Sequence, residues 1–134
     1  MRVLKKIYII NSYNQAVTTL RICSKKKIYP IIFVKYNFIN KFGIDWLKEM
    51  KNLLDVEFSK NKYGIYVDCK KNYGLFILLI QEKIDYLKFK ADDKTFNLLK
   101  KIAKKNKVLL NPNFSIVDLS KIKNISLKIE KNIK

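Results

Sequence analysis

The sequence contains no histidine. That removes the commonest general acid–base and the commonest metal ligand. Cysteine is nearly absent: Cys23 and Cys69 lie far apart and make no metal-binding spacing, so no metal site is expected. One disulfide is the most they allow, and nothing in the chain points to secretion. The start, "MRVLKKIYIINSYNQ", is basic, but its apolar run is too short for a signal peptide. The longest strong apolar run, Leu75 to Ile80, falls far below a membrane span. These lacks predict a cytoplasmic protein with free thiols and no membrane association.

Glycine and proline are also scarce, at 3 and 2 residues. No GxGxxG, P-loop or HExxH pattern is present, so no cofactor is expected. No Gly/Ser/Pro linker and no internal repeat divides the chain. One α/β domain over 1–119 is expected, followed at 120–134 by a basic C-terminal tail or terminal helix. In that tail Ile122, Ile125, Ile129 and Ile133 keep helical spacing, while Ile125, Leu127 and Ile129 keep strand spacing.

What the chain has in excess is positive charge, 29 Lys+Arg against 11 Asp+Glu, or +18. Such a balance suggests a nucleic acid or an anionic surface as partner. Only Arg2 and Arg21 are arginines, however, and recognition of phosphates and bases tends to recruit the planar arginine fork. Lysine, isoleucine and asparagine dominate together, as an A/T-rich coding sequence would produce whatever the protein binds. Weak RNA binding through a lysine-rich surface therefore stands as an alternative behind other partners. Apolar residues make up 49% of the chain, enough for a packed core and unlike a disordered composition.

Periodicity predicts strands and helices in strict alternation. Strands are expected over 6–11, 28–36, 63–69, 84–90 and 107–111. Helices are expected over 13–26, 44–55, 73–83 and 92–106. Ser12 and Gln15 have capping-box spacing before the first helix. "NFINKFG" and "FSKNK" read as loops. The second helix should turn Trp46, Leu47, Met50, Leu53 and Leu54 inward. The third is apolar almost all round and should be the most buried. A βαβαβαβαβ order predicts an open, three-layer parallel sheet of about five strands; a half (βα) barrel is the alternative.

In open parallel sheets ligands bind at the carboxyl ends of the strands. That edge would receive Asn11, Ser12 and Asn14 from the first strand and Lys35 and Tyr36 from the second. It would receive Asp68, Cys69, Lys70 and Lys71 from the third, Lys88 and Lys90 from the fourth, and Asn111 from the fifth. Helix N-termini face the same edge and favour anions. Ser12, Asn14, Lys70, Lys71 and Asn111 are the ligand-binding candidates, for a phosphate or carboxylate. Asp68, Lys35 and Lys90 are the catalytic candidates, as a general base and Schiff-base or phosphate lysines. Asp68 suits a cap for the third helix, or a pair with a neighbouring lysine, better than a general base. Cys69 suits a small buried hydrophobe better than a nucleophile, since no histidine can serve as its base.

From Tyr63 to Lys90 the chain runs through a strand ending in Val67, Asp68 and Cys69, then Gly74, an apolar helix through Ile80, and "YLKF". This is similar to a pattern in short, uncharacterised bacterial α/β proteins, and looks like one slice of a (βα) aldolase or epimerase barrel. It departs from such slices in carrying Phe76, Leu78 and Lys83 where small residues and a closing glycine are usual. The resemblance implies a strand–helix–strand unit and no established activity. The expected function is a small α/β domain, without catalysis of its own, that binds a partner protein or a small anionic ligand at the strand ends. The competing reading is a phosphate-handling lyase or isomerase using Asp68 and a lysine.

Overall fold

Ser12 does cap the first helix. Its extended backbone lets the hydroxyl accept the Gln15 N–H at 3.1 Å, and Gln15 Oε1 accepts the Asn11 N–H at 2.5 Å. Two amide donors at the helix entry are thereby satisfied by short side chains. This is a computed structural model that describes residues 4–59, 62–113 and 116–118. The expectation for a tail over 120–134 lies outside the described residues.

The chain runs β1 (Leu4–Ile10), α1 (Tyr13–Ser24), β2 (Ile28–Val34), α2 (Tyr36–Phe58), β3 (Gly64–Asp68) and α3 (Tyr73–Gln81). It continues through β4 (Tyr86–Lys88), α4 (Asp93–Lys105), β5 (Leu109–Leu110) and β6 (Ile116–Asp118). The expected alternation therefore forms, as a single-domain α/β open parallel sheet. Every neighbouring pair is parallel, and the strand order is β5-β4-β3-β2-β1-β6. The sixth strand, only three residues long, was invisible to periodicity.

The stretch "NFINKFG" is not a loop. It lies inside α2, which breaks its helical backbone only at Gly43, where φ is +84°. Ile39 is buried in the core, and the rings of Phe38, Phe42 and Trp46 meet at 5.2–5.8 Å along the helix. That burial holds the short first segment helical, and glycine supplies the left-handed joint at no steric cost. Beyond the joint Leu47, Met50 and Leu54 form the seam, while Leu53 is 45% exposed rather than inward. At 100° per residue Leu53 sits about 90° round from that seam. In α3 Phe76, Leu79 and Ile80 are buried, but Tyr73 and Leu78 face solvent, so its apolar surface exceeds what the sheet covers.

The strands separate two cores. Ile10, Ile32, Val34, Ile65, Val67 and Leu87 pack with residues from all four helices, Leu20, Leu54, Leu79 and Leu99 among them. On the other face Ile7, Ile31, Phe33, Tyr66 and Tyr86 pack with Ile9 and Tyr29, and this second cluster contains no residue of the four described helices. A three-layer sheet needs helices on both faces; here all four lie on one. The cause is topological. Each of the first five strands is laid down beside its predecessor in the same direction, so crossovers of one hand put every helix on the same side.

The sheet is open but rolled. A flat sheet of this order would separate β5 from β6 by five steps, about 24 Å. Asn111, whose N–H donates to Leu87 O at 2.8 Å, is five residues from Ile116, which pairs with Ile7. Five residues reach only about 16–18 Å. The outer strands must curl toward each other; the four described helices pack along the outer side, and the face that carries none of them is the concave one.

Near the N-terminal ends of the strands tyrosines tie neighbouring elements together, Tyr29 from the concave cluster and Tyr63 from the helix side. Tyr29 donates to Tyr63 O at 2.7 Å, and the Tyr63 hydroxyl reaches Asp55 Oδ1 at 2.5 Å. Gly64 leaves room for Tyr86 Cε2, which an added Cβ would meet at 2.9 Å. In parallel sheets ligands gather at the carboxyl ends of the strands, the end opposite these tyrosines.

Candidate functional site

At the C-terminal end Asp68 and Lys88 are register partners across β3 and β4. The pairing runs past both strands: Cys69 N–H donates to Lys88 O, and Lys90 N–H to Lys70 O, each at 2.8 Å. These bonds fix the backbones that carry Asp68, Lys70, Lys88 and Lys90 beside one another. Lys70 is in the left-handed region, at φ +49°, and Asp68 Oδ1 accepts its N–H at 2.9 Å. A short acidic side chain holding the backbone two residues on is an Asx turn.

The expected cap of α3 by Asp68 is therefore corrected. Asn72 is the cap, accepting the Leu75 N–H at 3.0 Å; an N-cap side chain reaches only the donors two or three residues on, and Asp68 stands too far before the helix. Asn72 Nδ2 also donates to the Tyr36 hydroxyl at 3.3 Å, and Lys70 Nζ lies 5.5 Å from the centre of the Tyr36 ring. Tyr36, Asp68, Lys70, Lys71, Asn72, Lys88 and Lys90 together line an open cleft of about 720 Å³. It sets four ammonium groups against one carboxylate. Among the described residues Asp68 is ion-paired with none of the four lysines.

Of the sequence candidates, Asp68, Lys70, Lys71 and Lys90 meet in this cleft; Ser12, Asn14, Lys35 and Asn111 are not among its lining residues. Ser12 is spent on capping α1, and Asn14 is exposed in that helix's first turn. Lys35 is half-buried between β2 and α2. Asn111 is part of the sheet. Its Oδ1 accepts the Phe89 N–H at 2.8 Å and its Nδ2 donates to Phe89 O at 3.0 Å, so the side chain extends the β4–β5 pairing. Asn72 was overlooked, although an Asn three residues before the apolar run of α3 is a capping signal.

Cys69 points into the core, fully buried. Burial pushes its thiol up to about 12, and the neighbouring Asp68 charge adds to the rise. A thiol so hard to ionise is no nucleophile at neutral pH. Burial likewise raises Cys23 to about 11, against smaller lowering by Tyr8 and Lys6. Tyr66, two residues before Asp68, is pushed up to about 12 by burial, then by the Asp68 charge. It stays neutral in the floor of the concave face.

Two further clefts exist. One is lined by Lys26, Lys27, Glu57 and Lys62 near the start of β2, the other by Lys100, Lys104 and Lys107 beside β5. Lysines thus line all three of these clefts, so among the described residues they are not confined to one. Among the described residues no three His, Cys, Asp or Glu side chains converge on a metal-sized site, and no helix is long and apolar enough to cross a membrane. The chain matches no protein-family model, no curated protein and no solved structure.

Proposed function

We propose that this domain binds a small anionic ligand, a phosphate or carboxylate compound, in the cleft at the carboxyl ends of β3 and β4, without chemistry of its own. The observation that carries this reading is the convergence of Lys70, Lys71, Lys88 and Lys90 on one cleft with a single carboxylate among them. Side chains of like charge repel one another, and a bound anion relieves that repulsion. Lysine serves phosphate as a point charge, so the scarcity of arginine is no obstacle. The two backbone bonds that tie Lys70 and Lys88 to the neighbouring strand reduce the cost of ordering the site. A cytoplasmic location belongs to the same proposal and suits two buried, unpaired cysteines.

A second reading draws on one specific observation. Asp68 and Lys90 line the same cleft, as a phosphate-handling lyase or isomerase with an acid–base pair requires, whereas Lys35 does not line it. The RNA-binding reading loses support from the spread of lysines over three clefts. Melting temperature measured against a panel of phosphorylated and carboxylated metabolites tests the leading reading, because a ligand of the native state raises stability by mass action. A hit at 100 times its dissociation constant stabilises by about 2.7 kcal/mol. No shift with any phosphate or carboxylate at millimolar concentration and low salt would reject it.

A further inference from the structure

Asp68 is the odd member of the cleft. A carboxylate among anion-binding lysines repels the anion, and it does not offset this by neutralising a lysine, since it is ion-paired with none of the four among the described residues. An ionised carboxylate is acceptor-only. Asp68 Oδ1 already takes the Lys70 N–H at 2.9 Å, which leaves Oδ2 as an acceptor at the wall of the cleft. The Tyr36 hydroxyl accepts from Asn72 Nδ2, so its own O–H remains a donor. The cleft, at about 720 Å³, is also far larger than one phosphate ion and within the range of small-molecule sites. An occupant that satisfies all of this carries a dianionic group for the lysines and, a short distance away, a hydroxyl for Asp68.

We infer that the ligand is a phosphorylated polyol of the sugar-phosphate type: its phosphate is held by Lys70, Lys71, Lys88 and Lys90, and a hydroxyl donates to Asp68. The inference rests on the anion-binding reading above and adds the chemistry of the rest of the ligand. Asp68 acts here as a specificity residue. It disfavours a bare anion and favours one that brings a donor.

Three probes separate the two claims by calorimetric titration of the full chain at low salt: inorganic phosphate, propyl phosphate and ribose 5-phosphate. Ribose 5-phosphate should bind about tenfold more tightly than propyl phosphate, the scale of one hydrogen bond to a charged group. In Asp68→Asn that preference should shrink to within about twofold, while inorganic phosphate binds at least as tightly as before because a like charge is gone. Asparagine keeps an Oδ1 acceptor for the Lys70 N–H, so the turn survives; an unchanged amide spectrum outside 66–72 checks this. If none of the probes binds, the anion-binding reading itself fails. If propyl phosphate matches ribose 5-phosphate, or if D68N keeps the preference, anion binding stands and the polyol inference is overturned.

Discussion

Replacing Asn111 tests whether this residue builds the sheet or serves a ligand. Its side chain makes two hydrogen bonds to the backbone of Phe89, and its own backbone sits at φ +51°. Asn111→Ala removes both bonds. Each is worth about 0.5–1.5 kcal/mol net, and more where the abandoned backbone group stays shielded from water. Phe89 is only 4% exposed, so its N–H and C=O recover little of the loss. Alanine also tolerates the left-handed conformation less well than asparagine, by about 1 kcal/mol. The total is about 3 kcal/mol. Asn111→Gly loses the same bonds but not the backbone term, so it should cost about 1 kcal/mol less. Asn111→Asp keeps an acceptor for the Phe89 N–H but turns a carboxylate oxygen toward Phe89 O, and should be no better than alanine. Urea unfolding reads these differences directly. With a slope of about 1–3 kcal/mol/M, a 3 kcal/mol loss lowers the midpoint by at least about 1 M. An N111A protein whose midpoint stays within about 0.2 M of the parent would refute the structural role, and a selective loss of phosphate binding with stability unchanged would return Asn111 to the ligand site.

Gly64→Ala should destabilise by about 1–3 kcal/mol, since its Cβ would lie 2.9 Å from Tyr86 Cε2 inside the concave cluster; pairing it with Tyr86→Leu should recover part of the loss, and chemical denaturation of the single and double variants decides. Asp85 is raised above the usual carboxylate range by burial, against lowering by the Ile65 N–H and Lys51. The folded state therefore holds this proton more tightly than the unfolded chain, whose value is about 3.9. Its contribution to stability is full below that value and is lost as pH rises through the raised folded value. Asp85→Asn, which keeps an acceptor for Ile65, should flatten that part of the stability–pH profile; an identical profile for parent and variant contradicts the assignment. Cys23 and Cys69, buried with raised thiols, should react with a disulfide reagent only as fast as the protein opens, and both should titrate at once in denaturant.

Local chemistry was the legible part of this fold. The Ser12 cap, the four crossover helices and the polar edge at the strand ends all follow from spacing within a dozen residues. What stayed hidden depends on partners distant in sequence. The helix over 36–42 exists because Ile39 finds the core, and nothing within "NFINKFG" announces that contact. β6 consists of three residues, and what makes them a strand is pairing with β1 from the other end of the described chain. The single-sided helix layer follows from strand order, which alternation alone does not specify. At the site, the strand-end rule brought Asp68, Lys70, Lys71 and Lys90 to one cleft. It also nominated Ser12 and Asn111, because it counts polar residues at an edge without knowing which are already committed to backbone partners.

The central claim is that the β3–β4 cleft, and not the diffuse lysine surface, binds anions. The most direct measurement is the phosphate affinity of Lys88→Gln/Lys90→Gln beside that of Lys100→Gln/Lys104→Gln, which removes the same charge from the cleft at β5. The first pair should weaken binding at least about tenfold, as loss of charge-assisted contacts implies, and the second should change it by less than about twofold, as screened distant charges imply. Equal losses in both variants, or none in the first, would contradict the account.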